Sequence, residues 1–133
     1  MNILIISRNA WDETNAIGNT LSNFFGEFSS SNFANIYFRS SKPNNKICKK
    51  YYQVTEFDII KGWFSSHNIG TYFEMKNDSI KNCSFNCKNE RRIIKFIHTY
   101  KFNYLYYLSE RIWYSKKWIN EKLYNFIESF SPD

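Results

Sequence analysis

The sequence predicts a single α/β domain built on a parallel sheet, and three observations carry that expectation. Ile3 to Ile6 is an unbroken apolar run, the pattern of a strand covered on both faces. Ile17, Leu21, Phe24, Phe25 and Phe28 then recur at helical spacing, and Phe33 to Phe38 supplies a second strand. Strand, helix and strand by residue 38 is the pattern of a crossover unit between parallel strands, as at the start of a doubly wound fold.

Length and composition agree with one core. A chain of 133 residues can bury a real interior but not two independent ones. With 20% aromatic residues, rings rather than small aliphatic groups fill much of it. The net charge of +6 comes from lysines scattered along the chain rather than gathered in a run, and no nucleic-acid recognition motif accompanies them. Nucleic acid is therefore not expected as a partner.

Cys48, Cys83 and Cys87 are odd in number and follow no export signal, which fits a reducing cytoplasm. The opening "MNILIIS" is too short, and lacks the cationic flank, for a signal peptide or a membrane span. Cys83 and Cys87 near His67 and His98 offer only half of a zinc site, so no metal or cofactor is expected.

The remaining elements follow in order. Asp12, Thr14 and Asn15 can each cap a helix running from about Asn15 to Phe28, which "SSSN" then breaks. "SSKPNNK" is a turn-rich loop, Lys50 to Val54 a third strand, and Thr55 with Asp58 a capping box for a helix reaching Phe64. Residues 65–89 show little periodicity and read as an irregular excursion. From Glu90 the chain turns helical, with Ile93, Ile97, Tyr100, Tyr104, Tyr107 and Leu108 on one side; this stripe reads as core or as a face for an anionic bilayer. A last helix spans Ser115 to Phe130, and "SPD" ends it as if a strand were to follow. Either the chain is cut at an element boundary or that helix closes a small α+β domain.

Three blocks carry a family resemblance: "ILIISRNAWDETNAIGNTLSNFF", "NIYFRSSKPNNKICKKYYQVTE" and "RIWYSKKWINEKLYNFIESFSPD". Together they resemble, in order, the amino-terminal half of GT-B-type bacterial glycosyltransferases, family-four-like enzymes of capsular and surface polysaccharide synthesis. The resemblance implies a Rossmann-like, acceptor-side domain over residues 1–133, lacking its nucleotide-sugar domain and a further strand. It implies a nucleotide sugar as donor, a glycan or polyprenyl-linked acceptor, and a cytoplasmic location at the inner face of the membrane. The glycine pair usual after the first strand in such enzymes is replaced by Asn15 and a lone Gly18.

In open α/β sheets ligands bind beyond the carboxyl ends of the strands, so the loop of residues 8–15 is the expected site. Sugars need fixed amide and hydroxyl partners and a flat apolar surface; Asn9, Trp11, Asp12 and Asn15 offer that mixture, beside Gly18. Arg8 and Arg39, each at a predicted strand end, could hold an acceptor phosphate. Each also has a local reading: Asp12 and Asn15 as caps, Trp11 as core, Arg8 and Arg39 as solvated surface. Catalytic residues are not identifiable, since His98 on a helix reads as structural and the donor-binding half is absent. The fragment alone is expected to transfer no sugar and to self-associate through an open sheet edge. The competing expectation is a stand-alone α/β binding or protein-interaction module.

Overall fold

The computed structural model describes residues 1–28, 30–64, 69–75 and 103–133. In chain order these form β1 (Asn2–Ser7), α1 (Ala16–Phe25), β2 (Asn32–Tyr37), β3 (Lys50–Gln53), α2 (Glu56–Phe64), β4 (Thr71–Glu74), α3 (Asn103–Tyr114) and α4 (Glu121–Phe130). The four described strands lie in the order β1-β2-β3-β4, so β1, whose apolar run reads as a covered central strand, stands instead at a sheet edge, with Ile6 65% exposed. β1, β2 and β3 are parallel, and β4 returns antiparallel to β3. The fold is thus α/β, a mostly parallel open sheet flanked by helices, consistent with a Rossmann-like arrangement.

Alternation across β2 separates two apolar layers. Phe33 and Tyr37 join Trp11, Cys48 and Tyr51 on the α1 side, where Leu21 and Phe25 of the helix pack. Ala34 and Ile36 point the other way, into a cluster with Tyr52, Val54, Ile59, Ile112, Leu123, Phe126 and Phe130. Helices cover both faces, so β2 is buried from Phe33 to Tyr37. Rings meet mostly edge to face, as with Trp11 and Phe33 at 5.8 Å and 90° or Phe38 and Trp113 at 5.5 Å and 85°. Each such pair adds roughly 0.5–1.5 kcal/mol beyond the burial of its area.

Helix ends obey their sequence signals. Asn15 caps α1 by accepting from the Gly18 amide, and the helix ends at Phe25 with Gly26 as its C-cap, short of Phe28. The expected box at α2 forms in full: the Thr55 amide and hydroxyl donate to the Asp58 carboxylate at 3.0 and 2.7 Å, and the Asp58 amide donates to Thr55 Oγ1 at 3.2 Å. α4 begins at Glu121 rather than Ser115. Lys116 takes a positive φ of 53°, which breaks the helical run, and Asn120 then caps the new helix through the Leu123 amide.

The excursion expected over residues 65–89 contains a strand. β4 is four residues long and lies at the sheet edge; its Phe73 stacks on Tyr51 at 5.3 Å, while Tyr72 meets Phe126 at 5.6 Å on the opposite face. Gly70 precedes it at φ 92°, where a Cβ would come within 2.4 Å of the Tyr52 hydroxyl. The helix expected from Glu90 is described from Asn103, and it runs on to Tyr114. Its predicted first half, with His98, lies outside the described residues, as do His67, Cys83 and Cys87. No helix among the described residues is long and apolar enough to cross a membrane.

Candidate functional site

The parallel register aligns Ser7 with Tyr37 and Tyr37 with Gln53, so the chain leaves β1, β2 and β3 at one level. The loops after β1 and β2 meet there and are sewn together by backbone and asparagine contacts. The Glu13 amide donates to the Asn44 carbonyl at 2.9 Å, and the Asn44 amide to the Trp11 carbonyl at 3.0 Å. The Ala10 amide donates to Ser41 Oγ at 2.7 Å. Buried Asn45 donates to the Trp11 carbonyl and Tyr51 Oη, while its Oδ1 accepts from the amides of Ile47 and Cys48. A loop with no regular structure must pair its backbone groups somewhere, and here asparagine side chains do it.

Asn35 is the anchor beneath. It is fully buried in mid-strand, accepts from the Trp11 amide at 3.2 Å, and donates to the Ile5 carbonyl at 3.1 Å and Ser7 Oγ at 2.8 Å. A buried amide without such partners would cost about 1–3 kcal/mol, so its place in an otherwise apolar strand marks a bound loop.

Each residue expected at the site has a definite place. Trp11 is fully buried, with Nε1 donating to the Gly18 carbonyl at 3.1 Å and Ser22 Oγ at 2.8 Å. It is core, and the expectation that its ring offers sugars a flat surface is corrected. Asp12 turns inward on its own loop, accepting from the Thr14 amide and hydroxyl. Asn15 is the α1 cap, accepting from the Gly18 amide at 2.9 Å. Gly18 is buried against the Asp12 backbone. Arg8 and Asn9 remain exposed and Arg39 partly so.

These last three are brought together. The Phe38 amide donates to the Arg8 carbonyl at 3.2 Å, Ser7 Oγ donates to the Asn9 carbonyl at 2.7 Å, and Gln53 Nε2 donates to the Arg39 carbonyl at 3.0 Å. The backbones of both arginines are thereby held at adjacent strand ends. Among the described residues no carboxylate pairs with either guanidinium. Such an arrangement can bind an anion: two unpaired cations on a fixed rim, with an amide and serine hydroxyls beside them. The sequence did not single out Asn35, Ser41, Asn45 or Gln53. An asparagine inside the apolar run "FANIYF" was the available signal, because a buried amide requires partners.

Below the rim the chemistry is inert. Burial pushes the Cys48 thiol up to about 12, outweighing its hydrogen bonds with Tyr51 and the Lys50 carbonyl. Burial likewise raises Tyr51 far above the ordinary phenol range, with Cys48 adding to it, and lifts Tyr52 to about 12, with Asp58 adding. The folded protein therefore keeps protons that the unfolded chain releases from pH 9 to 10 upward. The stabilisation is complete below about pH 9 and is lost as pH rises toward 12, by up to about 1.4 kcal/mol per pH unit for each such group. The urea midpoint should be level from pH 7 to 8.5 and fall steeply by pH 10.5. In the native protein at pH 8, peptide mapping should find Cys48 unalkylated by iodoacetamide. A flat midpoint to pH 11, or rapid labelling of Cys48, contradicts this burial.

Among the described residues, grooves also lie away from the rim. One, of about 640 Å³, is at the amino ends of the strands, lined by Asn2, Asn32, Lys46, Lys49 and Lys50. The carboxyl ends of α1 and α4 also reach it, and their partial negative charge offsets the lysines. Another, of about 740 Å³, runs between β4 and α4 past Tyr52, Tyr72 and Phe126. Among the described residues no cluster of three His, Cys, Asp or Glu side chains could hold a metal. No family model, no curated protein and no solved structure matches the chain.

Proposed function

We propose that this chain is the acceptor-side half of a GT-B-type glycosyltransferase, which moves a sugar from a nucleotide-sugar donor to a glycan or polyprenyl-linked acceptor in surface polysaccharide synthesis. On this reading the nucleotide-sugar domain and a further strand lie outside these residues, and the enzyme works in the cytoplasm at the inner membrane face. The observation that carries the reading is the rim at the carboxyl ends of β1 and β2. There Arg8, Asn9 and Arg39 stand on a sewn loop pair, without carboxylate partners among the described residues. A phosphate at the head of a lipid-linked acceptor matches two guanidinium groups and a neighbouring amide. The loop between β1 and α1 carries Asn15 and a lone Gly18 in place of a glycine pair, and on this reading the donor is held by the other half.

Titration with farnesyl phosphate, a short soluble polyprenyl phosphate, tests this. Amide resonances of Ser7 to Ala10 and Phe38 to Ser41 should shift, and farnesol should leave them unmoved. The double variant Arg8→Ala/Arg39→Ala should stay folded and weaken binding by at least roughly 10–100-fold, the worth of a single charge-assisted hydrogen bond, since two guanidinium groups are removed. The chain alone should release no UDP from UDP-glucose. Shifts confined to other regions, or binding indifferent to both arginines, sink the phosphate site; turnover by the 133 residues sinks the half-enzyme assignment.

A further inference from the structure

We infer that the groove at the amino ends of the strands is a second anion site, built for a nucleoside diphosphate: lysines for the phosphates and phenyl rings for the base. It lies about 20 Å from the rim, at the other end of β2, and does not depend on the acceptor reading.

The backbone fixes the lysines there. Asn45 Oδ1 accepts from the amides of Ile47 and Cys48 at 3.0 and 2.7 Å, a turn that holds Lys46 just ahead of β3. The Cys48 side chain is buried while Lys49 beside it is exposed, and the Lys49 carbonyl accepts from the Met75 amide at 2.8 Å. Lys50 opens β3, paired with Ala34 and Glu74, and its Nζ stands 5.9 Å from the centre of the Phe130 ring. Lys46, Lys49 and Lys50 all line one cavity of about 640 Å³. That volume suits a small ligand.

Little of opposite sign balances them. Among the described residues no carboxylate lines the groove or pairs with these lysines. Glu74, opposite Lys50, accepts from the Tyr72 hydroxyl, and Asp133 is engaged by the Asn2 amide and the Met1 amino group. The carboxyl ends of α1 and α4 contribute about half a negative charge each, which leaves roughly two of the positive charges uncompensated. Carbonyls at those ends are also occupied: Phe25 accepts from the Phe28 amide, Ile127 from the Ser131 amide, and Phe130 from Asn2 Nδ2. Ammonium groups are compact point charges that suit phosphates, and several together favour a diphosphate over a monoanion.

The remaining walls say what accompanies the phosphates. Phe25, Phe28, Phe33 and Phe130 reach the groove, and Phe28 keeps 41% of its surface exposed. A phenyl ring that accessible beside a cluster of cations is a stacking surface for a base. Ser31 and Asn32 also line the groove. Asn32 Nδ2 is bonded to Asn2 Oδ1 at 3.0 Å, so its own Oδ1, with the Ser31 hydroxyl, is left to accept from ribose hydroxyls.

Titration of the 133-residue chain with ADP, inorganic pyrophosphate and adenosine, without magnesium, tests the site. ADP should shift the amide resonances of Ser31, Asn32 and Lys46 to Lys50 while those of Ser7 to Ala10 stay in place. Pyrophosphate, with similar charge but no base, should bind roughly tenfold more weakly, and adenosine more weakly than either. Lys46→Gln/Lys49→Gln should weaken ADP by roughly tenfold or more, against about twofold or less for Lys42→Gln/Lys117→Gln, which removes the same charge elsewhere. All four lysines are exposed, so neither pair disturbs the core. Phe28→Ala should bring ADP to the level of pyrophosphate and leave pyrophosphate unchanged. Shifts confined to the rim, equal losses from the two lysine pairs, or ADP binding no tighter than pyrophosphate overturn the inference.

Discussion

Trp11→Ala is expected to destabilise the domain by about 3–5 kcal/mol, the cost of deleting a large aromatic side chain from a closed core. The ring has no exposed surface and meets Phe25 at 6.0 Å and Phe33 at 5.8 Å. Its Nε1 also ties the loop to α1 at two points, the Gly18 carbonyl and Ser22 Oγ. Trp11→Phe separates these contributions: it keeps a ring against Phe33 but removes the donor, and should cost roughly 1–2 kcal/mol. Urea unfolding followed by circular dichroism reads both. Because the ring and its Nε1 hold the loop against α1, the alanine variant, although it keeps the backbone groups that bond Asn35 and Asn45, should also loosen Arg8 and Asn9, and weaken farnesyl phosphate binding beyond what unfolding explains. A midpoint within experimental scatter of the parent would remove Trp11 from the core.

That expectation also marks how far sequence alone reaches. The parallel crossover was legible because a double-sided apolar run, a helical stripe and a second run differ in period, and period survives without coordinates. The capping box at Thr55 and Asp58 was legible because it is local, with both partners within one turn. β4 was not, since four residues carrying one partly buried side chain leave no alternation to see; Tyr51 and Tyr52, paired with Phe73 and Tyr72 more than a dozen residues on, hold it in place. For α4 the apolar spacing continued upstream through Ile119, but the turn at Lys116 and the Asn120 cap overrode it.

The candidate site divides along the same line. Asp12, Trp11 and Asn15 admitted a local and a ligand-facing reading, and their side chains are committed to local partners. Arg8 and Arg39 admitted the same two readings and stay open. The difference is size and polarity: the short Asp12 and Asn15 find the nearest backbone and the Trp11 ring is taken into the core, while Arg8 and Arg39 at strand ends keep their charge toward solvent. What composition could not supply was that two loops thirty residues apart would be joined by Asn44, Asn45 and Ser41, because that joining depends on the parallel register.

Gly18→Ala inverts the usual rule for helices and so tests the packing of that loop directly. Propensity alone favours alanine over glycine within a helix by about 1 kcal/mol. Gly18 lies in the first turn of α1 with its amide already capped by Asn15, so by propensity the substitution should stabilise. Packing says otherwise. A Cβ there would stand 1.9 Å from the Asp12 carbonyl oxygen and 2.4 Å from its carbon, both backbone atoms that no rotamer can move aside. Relief requires the loop to lift from α1, which breaks the Glu13 to Asn44 bond and the Trp11 donor contacts. The strain should outweigh the propensity gain, for a net loss on the order of 3 kcal/mol. Asn19→Ala, next along the helix and exposed, meets no such obstacle and should be neutral or slightly stabilising. Unfolding midpoints of the two variants should therefore move apart. If Gly18→Ala is instead as stable as Asn19→Ala, the loop after β1 does not rest on α1, and the rim loses the support that holds Arg8 beside Arg39.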